Sequence, residues 1–421
     1  MEDMYVSCQF RAPSPPAAEP PRYRQVSIGR PAVAVSEEQG VLHMRSLEPL
    51  APLPQRLLDR LLHWARVRPE QTFIAAREDG GDWRRVSYGQ MLDSVRAIAQ
   101  GLLGYGLSAD KPLALLSGND IEHLQLALGA MYAGIPYCPV SPAYSLLSQD
   151  FAKLRHVCDL LQPGLVFVSD AGAYQRAIDA VLPPETPLIC VRGQVPGRRQ
   201  ASFASLLAEP GAAEADAAFA ATGPDSIAKF LFTSGSTKLP KAVITTQRML
   251  CANQQMLLQT FPVFGEEPPV LVDWLPWNHT FGGSHNVGIV LYNGGSFYLD
   301  DGKPTAQGFA ETLRNLKEIS PTAYLTVPKG WEELVNALEQ DAELRECFFK
   351  RMSLFFFAAA GLSQSVWDRL DRVAEQHCGE RIRMMAGLGM TEAAPSCTFT
   401  TGPLSMAGYI GLPAPGCEVR L

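Results

Sequence analysis

The 421-residue sequence has no apolar stretch of membrane-crossing length. Its densest run, Leu354–Leu362, is nine residues, half of the roughly 18 that a spanning helix needs. It lacks a basic excess: 36 Lys and Arg against 43 Asp and Glu leave a net charge of −7, which argues against nucleic acid as the main partner. Its nine cysteines, an odd number spread from Cys8 to Cys417, include no Cys-x-x-Cys pair. That excludes a disulfide framework and a zinc ribbon, and points to reduced thiols in a cytoplasmic protein. The acidic start Met1-Glu-Asp-Met4 lacks the basic n-region and apolar core of a secretory signal. No Gly-x-Gly-x-x-Gly follows an expected strand and no Gly-x-Ser-x-Gly elbow occurs, which disfavours nicotinamide, flavin and serine-hydrolase chemistry. A Walker A loop is missing as well.

What is present is a well-cored chain. Apolar residues make up 47% and charged residues 19%, too apolar for disorder, and the length suits two or three packed units. Residues 11–21 hold five prolines and read as an extended arm. The alanine-rich stretch 209–222 could form a helix but reads first as a connector between two subdomains. Apolar residues recur at helical spacing around Leu57–Ala65 and, after a cap at Ser87, over Met91–Leu103. Pro112–Ser117, Leu165–Val168 and Leu188–Val191 are strand-sized, with a helix at Ile121–Ala133. Past 225 the alternation sharpens. Ile227–Phe232, Val243–Thr245, Val270–Leu275, Phe297–Leu299, Ala323–Val327, Leu354–Ala359 and Ile382–Met385 are short apolar runs. Helix-sized segments Ala306–Ile319, Gly330–Ala342 and Ser363–His377 lie between them. Buried strands alternating with helices predict an α/β fold of βαβ units with mostly parallel sheets and a smaller β-rich part. The expected organisation is an N-terminal extension over 1–50, a first α/β subdomain over 51–222 and a second over 223–421. Ligands of such sheets bind beyond the carboxyl ends of the strands.

Three places at strand ends carry chemistry. In the first, Thr233, Ser234, Ser236 and Thr237 surround Gly235, with Lys238 and Lys241 adding positive charge. Hydroxyls, exposed amides and lysine in a tight loop suit a polyphosphate, whose oxygens only accept hydrogen bonds; the plainer reading is a Ser/Thr-rich surface turn. In the second, Ala386-Gly-Leu-Gly-Met-Thr-Glu392 turns sharply off a strand and presents Thr391 and Glu392. A carboxylate facing phosphates needs a divalent cation between them, and magnesium takes one or two carboxylates plus phosphate oxygens. A Thr-Glu pair alone is more often a helix start. The third is His279 in Leu275-Pro-Trp-Asn-His-Thr-Phe-Gly282, which alone is more often a core histidine than a functional one.

Taken together, these motifs resemble those of the adenylate-forming superfamily, the acyl- and aryl-CoA synthetases, luciferases and peptide-synthetase adenylation domains. Thr233-Ser-Gly-Ser-Thr-x-x-Pro-Lys241 is similar to its phosphate loop, with Lys238 and Ala242 where glycine is usual. The 386–392 segment resembles its aromatic-Gly-x-Thr-Glu signature, with Leu388 replacing the aromatic residue. His279 resembles the histidine that gates its acyl pocket. Ala358-Ala-Ala-Gly361 looks like its adenine-side turn, and Gly408–Val419 like the end of its large domain. The resemblance implies that Thr233–Thr237 and Lys241 contact phosphates, that Ala360, Gly361, Gly387 and Leu388 border the nucleotide, that Thr391 contacts phosphate and that Glu392 binds Mg2+. Within the superfamily, Val41-Leu-His-Met-Arg-Ser46, Arg56–Trp64, Ser236–Val243 and Gly387–Glu392 resemble feruloyl-CoA synthase.

The implied activity is ATP-dependent activation of a carboxylic acid, a hydroxycinnamate such as ferulate, to an acyl-adenylate and then a CoA thioester. The expected small-molecule partners are the acid, ATP and CoA, without nucleic acid or membrane; a homodimer stays open. The family pattern continues past Leu421 with a ribose-binding Asp and a lysine-bearing small domain. The chain is therefore expected to hold the large N-terminal domain and to form CoA ester poorly. Two alternatives stay open: a nucleotide- or aryl-acid-binding module without turnover, and a synthetase for a fatty or other acid.

Overall fold

A computed structural model of the protein describes residues 21–209, 211–233, 239–305, 307–402, 404 and 406–421. The proline-rich arm, apart from Pro21, and Ser234–Lys238 of the hydroxyl-rich loop lie outside the described residues.

Among the described residues four sheets, interleaved with helices, build the mixed α/β fold that the alternation of strands and helices predicts. The largest has seven strands. Tyr137–Pro139, Leu113–Leu116, Leu165–Asp170, Leu188–Arg192 and Gln200–Ser202 run parallel, Ile227–Thr233 adds to one side, and Lys241–Thr246 returns antiparallel to it as the edge. Leu113–Leu116 is buried along its whole length, as a strand covered by helices on both faces must be. A four-stranded sheet orders Val270–Asp273, Ser296–Leu299, Thr72–Arg77 and Trp83–Ser87. A five-stranded sheet begins with parallel Ala323–Thr326, Leu354–Phe357 and Arg383–Gly389 and ends with antiparallel Ser396–Phe399 and Leu412–Pro413. Val33–Glu38, Val41–Ser46 and Glu418–Arg420 form a small antiparallel sheet joining both ends of the chain.

Strands from both sides of residue 222 share the seven-stranded and four-stranded sheets, so the expected boundary at 222/223 does not divide the sheets. Nor is 209–222 only a connector; the helical alternative holds for part of it. Ala213–Ala221 is a helix, held where Tyr132 stacks on Phe219 at 4.4 Å and Asp216 accepts from the Tyr132 hydroxyl and pairs with Arg96. Alanine's high helix propensity and these three contacts outweigh the lack of an apolar stripe. The residues before 50 are tied down as well: Arg24 donates to Phe349 O and Met352 O and pairs with Glu380 at 2.7 Å.

The helix Gln247–Thr260 starts on a Thr246 cap and buries Asn253, Gln254 and Gln255. These side chains are spent on other segments' backbone: Gln254 Nε2 donates to Ser284 O at 3.0 Å, and Asn253 Nδ2 to Ser396 O at 3.0 Å. One helix thereby ties together two stretches that meet at the site. Among the described residues, no helix is long and apolar enough to cross a membrane.

Candidate active site

A cleft of about 530 Å³ opens beyond the carboxyl ends of Leu354–Phe357 and Arg383–Gly389, where a parallel sheet places its ligands. His279, Thr280, Phe281 and His285 form one wall. The turn Ala358–Gly361 forms another, and Gly387–Thr391 a third. Pro395, Ser396 and Gly408–Ile410 complete it. Six residues singled out from three separate motifs (His279, Ala360, Gly361, Gly387, Leu388 and Thr391) therefore line one cavity.

The local structure follows from the residue types. At Gly389 a Cβ would stand 2.2 Å from Pro395 O, so only glycine lets the strand end pass that close to the returning chain. Ala359 holds a φ of +74°, a left-handed conformation uncommon for residues with a Cβ and concentrated at ligand clamps. Thr391–Ala393 is a single 3-10 turn, with Thr391 half-buried and Glu392 exposed.

Of the hydroxyl-rich loop, Thr233 and Lys241 are described. They face each other as the last described pair of two antiparallel strands. Neither lines the cleft; Lys241 borders a separate surface groove with His156 and Phe230. The two regions are nevertheless neighbours, because Lys241–Thr246 runs beside the turn Thr391–Ala393.

His279 lies on the cleft rim, its Nδ1 accepting from Phe281 N at 3.3 Å, and desolvation holds its pKa below the usual imidazole value. Behind it, Phe281–Asn286 is a π-helical turn, a form frequent at functional sites. Here the structure reveals a residue that sequence reasoning did not single out. His285 is 2% exposed, lines the cleft, and is flanked by Phe281 and Phe356 at ring-centre distances of 5.3 Å each. Its Nδ1 lies 2.8 Å from Asn286 Oδ1, and Asn286 Nδ2 donates to Asp273 Oδ2 at 2.8 Å. Asp273 Oδ1 in turn accepts from Leu275 N at 2.8 Å. Burial drives the His285 pKa down to about 4 and raises that of Asp273 to about 7. No motif could have flagged this chain, since its members are 13 residues apart and each is common in isolation.

With the site in view, comparison with known proteins decides the family. The family model of AMP-binding enzymes matches residues 61–421. The chain belongs to the AMP-binding enzyme family. Among curated relatives it is similar to the peroxisomal long chain acyl-CoA synthetase 6 of Arabidopsis thaliana, 24% identical over 396 residues, covering 82% of this chain and 53% of that protein. It is also similar to the 3-[(3aS,4S,7aS)-7a-methyl-1,5-dioxo-octahydro-1H-inden-4-yl]propanoyl:CoA ligase of Rhodococcus jostii (strain RHA1), 24% identical, covering 82% of this chain and 67% of the relative. The chain thus spans about half the length of the Arabidopsis synthetase. Among solved structures, a long-chain-fatty-acid-CoA ligase from Archaeoglobus fulgidus superposes with a TM-score of 0.69 at 18% identity, covering 87% of this chain and 71% of that one. The adenylation domain of a keto acid-selecting peptide-synthetase module superposes at 0.67 and 18%, covering 86% and 64%. The mixed α/β architecture of this AMP-binding chain is that of adenylate-forming enzymes. By name these relatives act on fatty, polycyclic and keto acids, and they lend the resemblance to feruloyl-CoA synthase no support.

Proposed function

We propose that this chain carries the nucleotide- and acid-binding cleft of an AMP-forming acid–CoA ligase, which joins a carboxylate to the α-phosphorus of ATP, expels pyrophosphate, and passes the acyl group to the thiol of CoA. The observation that carries the reading is the convergence of His279, Ala360, Gly361, Gly387, Leu388 and Thr391 on one cleft, with the strand from Lys241 beside Glu392.

In this reading the residues divide the work by chemistry. Thr233–Thr237 and Lys241 meet the phosphates, the small turn Ala358–Gly361 leaves room for the nucleobase, and Thr391 donates its hydroxyl to phosphate. A carboxylate repels a triphosphate, so the protein's contribution is alignment and charge neutralisation. Glu392 is an exposed carboxylate at a tight turn, and among the described residues no group of three or more acidic, His or Cys side chains stands together to hold a metal alone. That donor set fits Mg2+ held jointly with phosphate oxygens; when bound, the ion screens the phosphates from the incoming carboxylate. His279 borders the acid's entry. Phe281, Phe356, Leu388, Met390 and Ile410 make much of the lining apolar, which suits an alkyl or aryl acid. Fatty-acyl relatives favour the first, and the motif resemblance to feruloyl-CoA synthase favours a hydroxycinnamate.

Calorimetric titration tests the reading. ATP with Mg2+, and AMP alone, should both bind the chain. Glu392→Gln should weaken Mg·ATP about tenfold while leaving AMP within twofold, since only the triphosphate engages the metal. No nucleotide binding would refute the site, and equal losses for AMP and Mg·ATP would remove Glu392 from the metal.

A further inference from the structure

The inner wall of the cleft holds a polar atom that no described residue satisfies. Nε2 of His285 is buried and has no hydrogen-bond partner among the described residues. Buried polar atoms are overwhelmingly paired, so an orphan on a residue that lines a ligand cavity asks for an explanation. Which role the atom plays follows from its neighbours. The Asp273 carboxylate already accepts from Leu275 N and takes a second hydrogen bond from Asn286 Nδ2. In its ionised form that carboxylate can only accept, which holds the amide of Asn286 with its NH2 group toward Asp273, at 2.8 Å, and its oxygen toward His285. That oxygen can only accept, so the proton of the imidazole sits on Nδ1. The lone pair is left on Nε2. Phe281 edge-on and Phe356 stacked keep the ring from turning away. Thr280 Oγ1 is a second buried, unpartnered polar atom in the same lining.

We propose that the acid taken by this cleft bears a hydrogen-bond donor, a hydroxyl or N–H on its body away from the carboxylate, which His285 Nε2 accepts. The inference rests on the acid-activation reading and narrows it. A plain alkyl or phenyl acid would seal Nε2 inside an apolar contact and leave it unpaired. Sites built to pair with a substrate hydroxyl discriminate strongly against analogues without one, because the protein's own polar group is then stranded. His285 is thus a specificity residue, and Asn286 and Asp273 are positioning residues that set its tautomer.

The test uses two matched pairs of acids, 4-hydroxycinnamate against cinnamate and 12-hydroxydodecanoate against dodecanoate, titrated into the chain with AMP present. In at least one pair the hydroxy acid should bind tenfold or more tightly. His285→Phe should bring that ratio to within twofold, and His285→Gln, which keeps an acceptor, should retain part of it. Nitrogen-15 NMR of histidine-labelled protein adds a readout that needs no variant: His285 should be Nδ1-protonated in the free chain, and its Nε2 resonance should move upfield when the hydroxy acid binds. If the variants do not fold, the wild-type ratio and that resonance decide. Equal binding within both pairs, an unchanged ratio in His285→Phe, or a protonated Nε2 would overturn the inference while nucleotide binding left the acid-activation reading standing. Failure of nucleotide and acids alike to bind would overturn both.

Discussion

Gly283→Ala should destabilise the chain by more than about 3 kcal/mol and abolish nucleotide-dependent acid binding. A Cβ at this position would stand 2.1 Å from Trp277 O, 2.9 Å from Trp277 C and 3.0 Å from its Cα, all backbone. The backbone cannot slide aside, because Asn119 clamps it from both ends, donating to Leu275 O and accepting from Trp277 N at 2.9 Å each. Relief therefore has to come from the π-helical turn, which carries Phe281 and His285 into the cleft. Chemical denaturation together with calorimetry checks this: a variant with wild-type stability and acid affinity would show that the turn tolerates the side chain.

The second large effect is a gain. Lys229 is 2% exposed, and its Nζ donates to Gly283 O at 2.9 Å, with no carboxylate paired to it among the described residues. Desolvation lowers its pKa from the usual 10.5 to about 7. Between those two values the folded chain binds fewer protons at this site than the unfolded chain, so stability rises with pH across that window. Below pH 7 the lysine is charged in both states and the full desolvation cost is present, on the order of 4 kcal/mol; at pH 7, where it is about half charged in the folded chain, most of that cost remains. Lys229→Met keeps the volume and removes the charge, at the expense of leaving Gly283 O unpaired, which costs about 1–3 kcal/mol. The variant should be the more stable protein at pH 7 by about 1–3 kcal/mol, and the advantage should shrink and then reverse as pH approaches 10. Urea denaturation at pH 7 and 9.5 measures both, and a difference independent of pH would mean that Lys229 titrates normally.

Of these two residues the sequence did not advertise Lys229, whereas Gly283 closes the glycine pair that ends the His279 motif. Strands such as Leu354–Phe357 and Leu165–Asp170 were legible because a strand buried on both faces reads as an unbroken apolar run. The cleft's strand-end turns were legible because glycine and small residues cluster there for steric reasons. The helix Gln247–Thr260 was not, since Asn253, Gln254 and Gln255 on its buried face erase the apolar stripe on which periodicity depends. Ala213–Ala221 was legible only as an alternative to a connector: with alanine on every side, no face stands out. His285, Asn286 and Asp273 acquire meaning only through contact, because a tautomer is set by geometry and leaves no trace in spacing. His279 shows the converse, as its motif frame identified a position on the cleft that its residue type alone would not.

The four-stranded sheet sets a schedule for synthesis. Thr72–Arg77 sits between Trp83–Ser87, made almost at once, and Ser296–Leu299, made roughly 210 residues later. At ribosomal rates of about 5–20 residues per second, the hairpin's inner edge waits some 10–40 s for its partner. During that interval a strand with Phe73, Ile74 and Ala75 destined for full burial has an unfilled edge, the kind of surface that pairs with other chains. Expression at lower temperature, or with holdase chaperones, should therefore raise the soluble yield more than any change to the cleft.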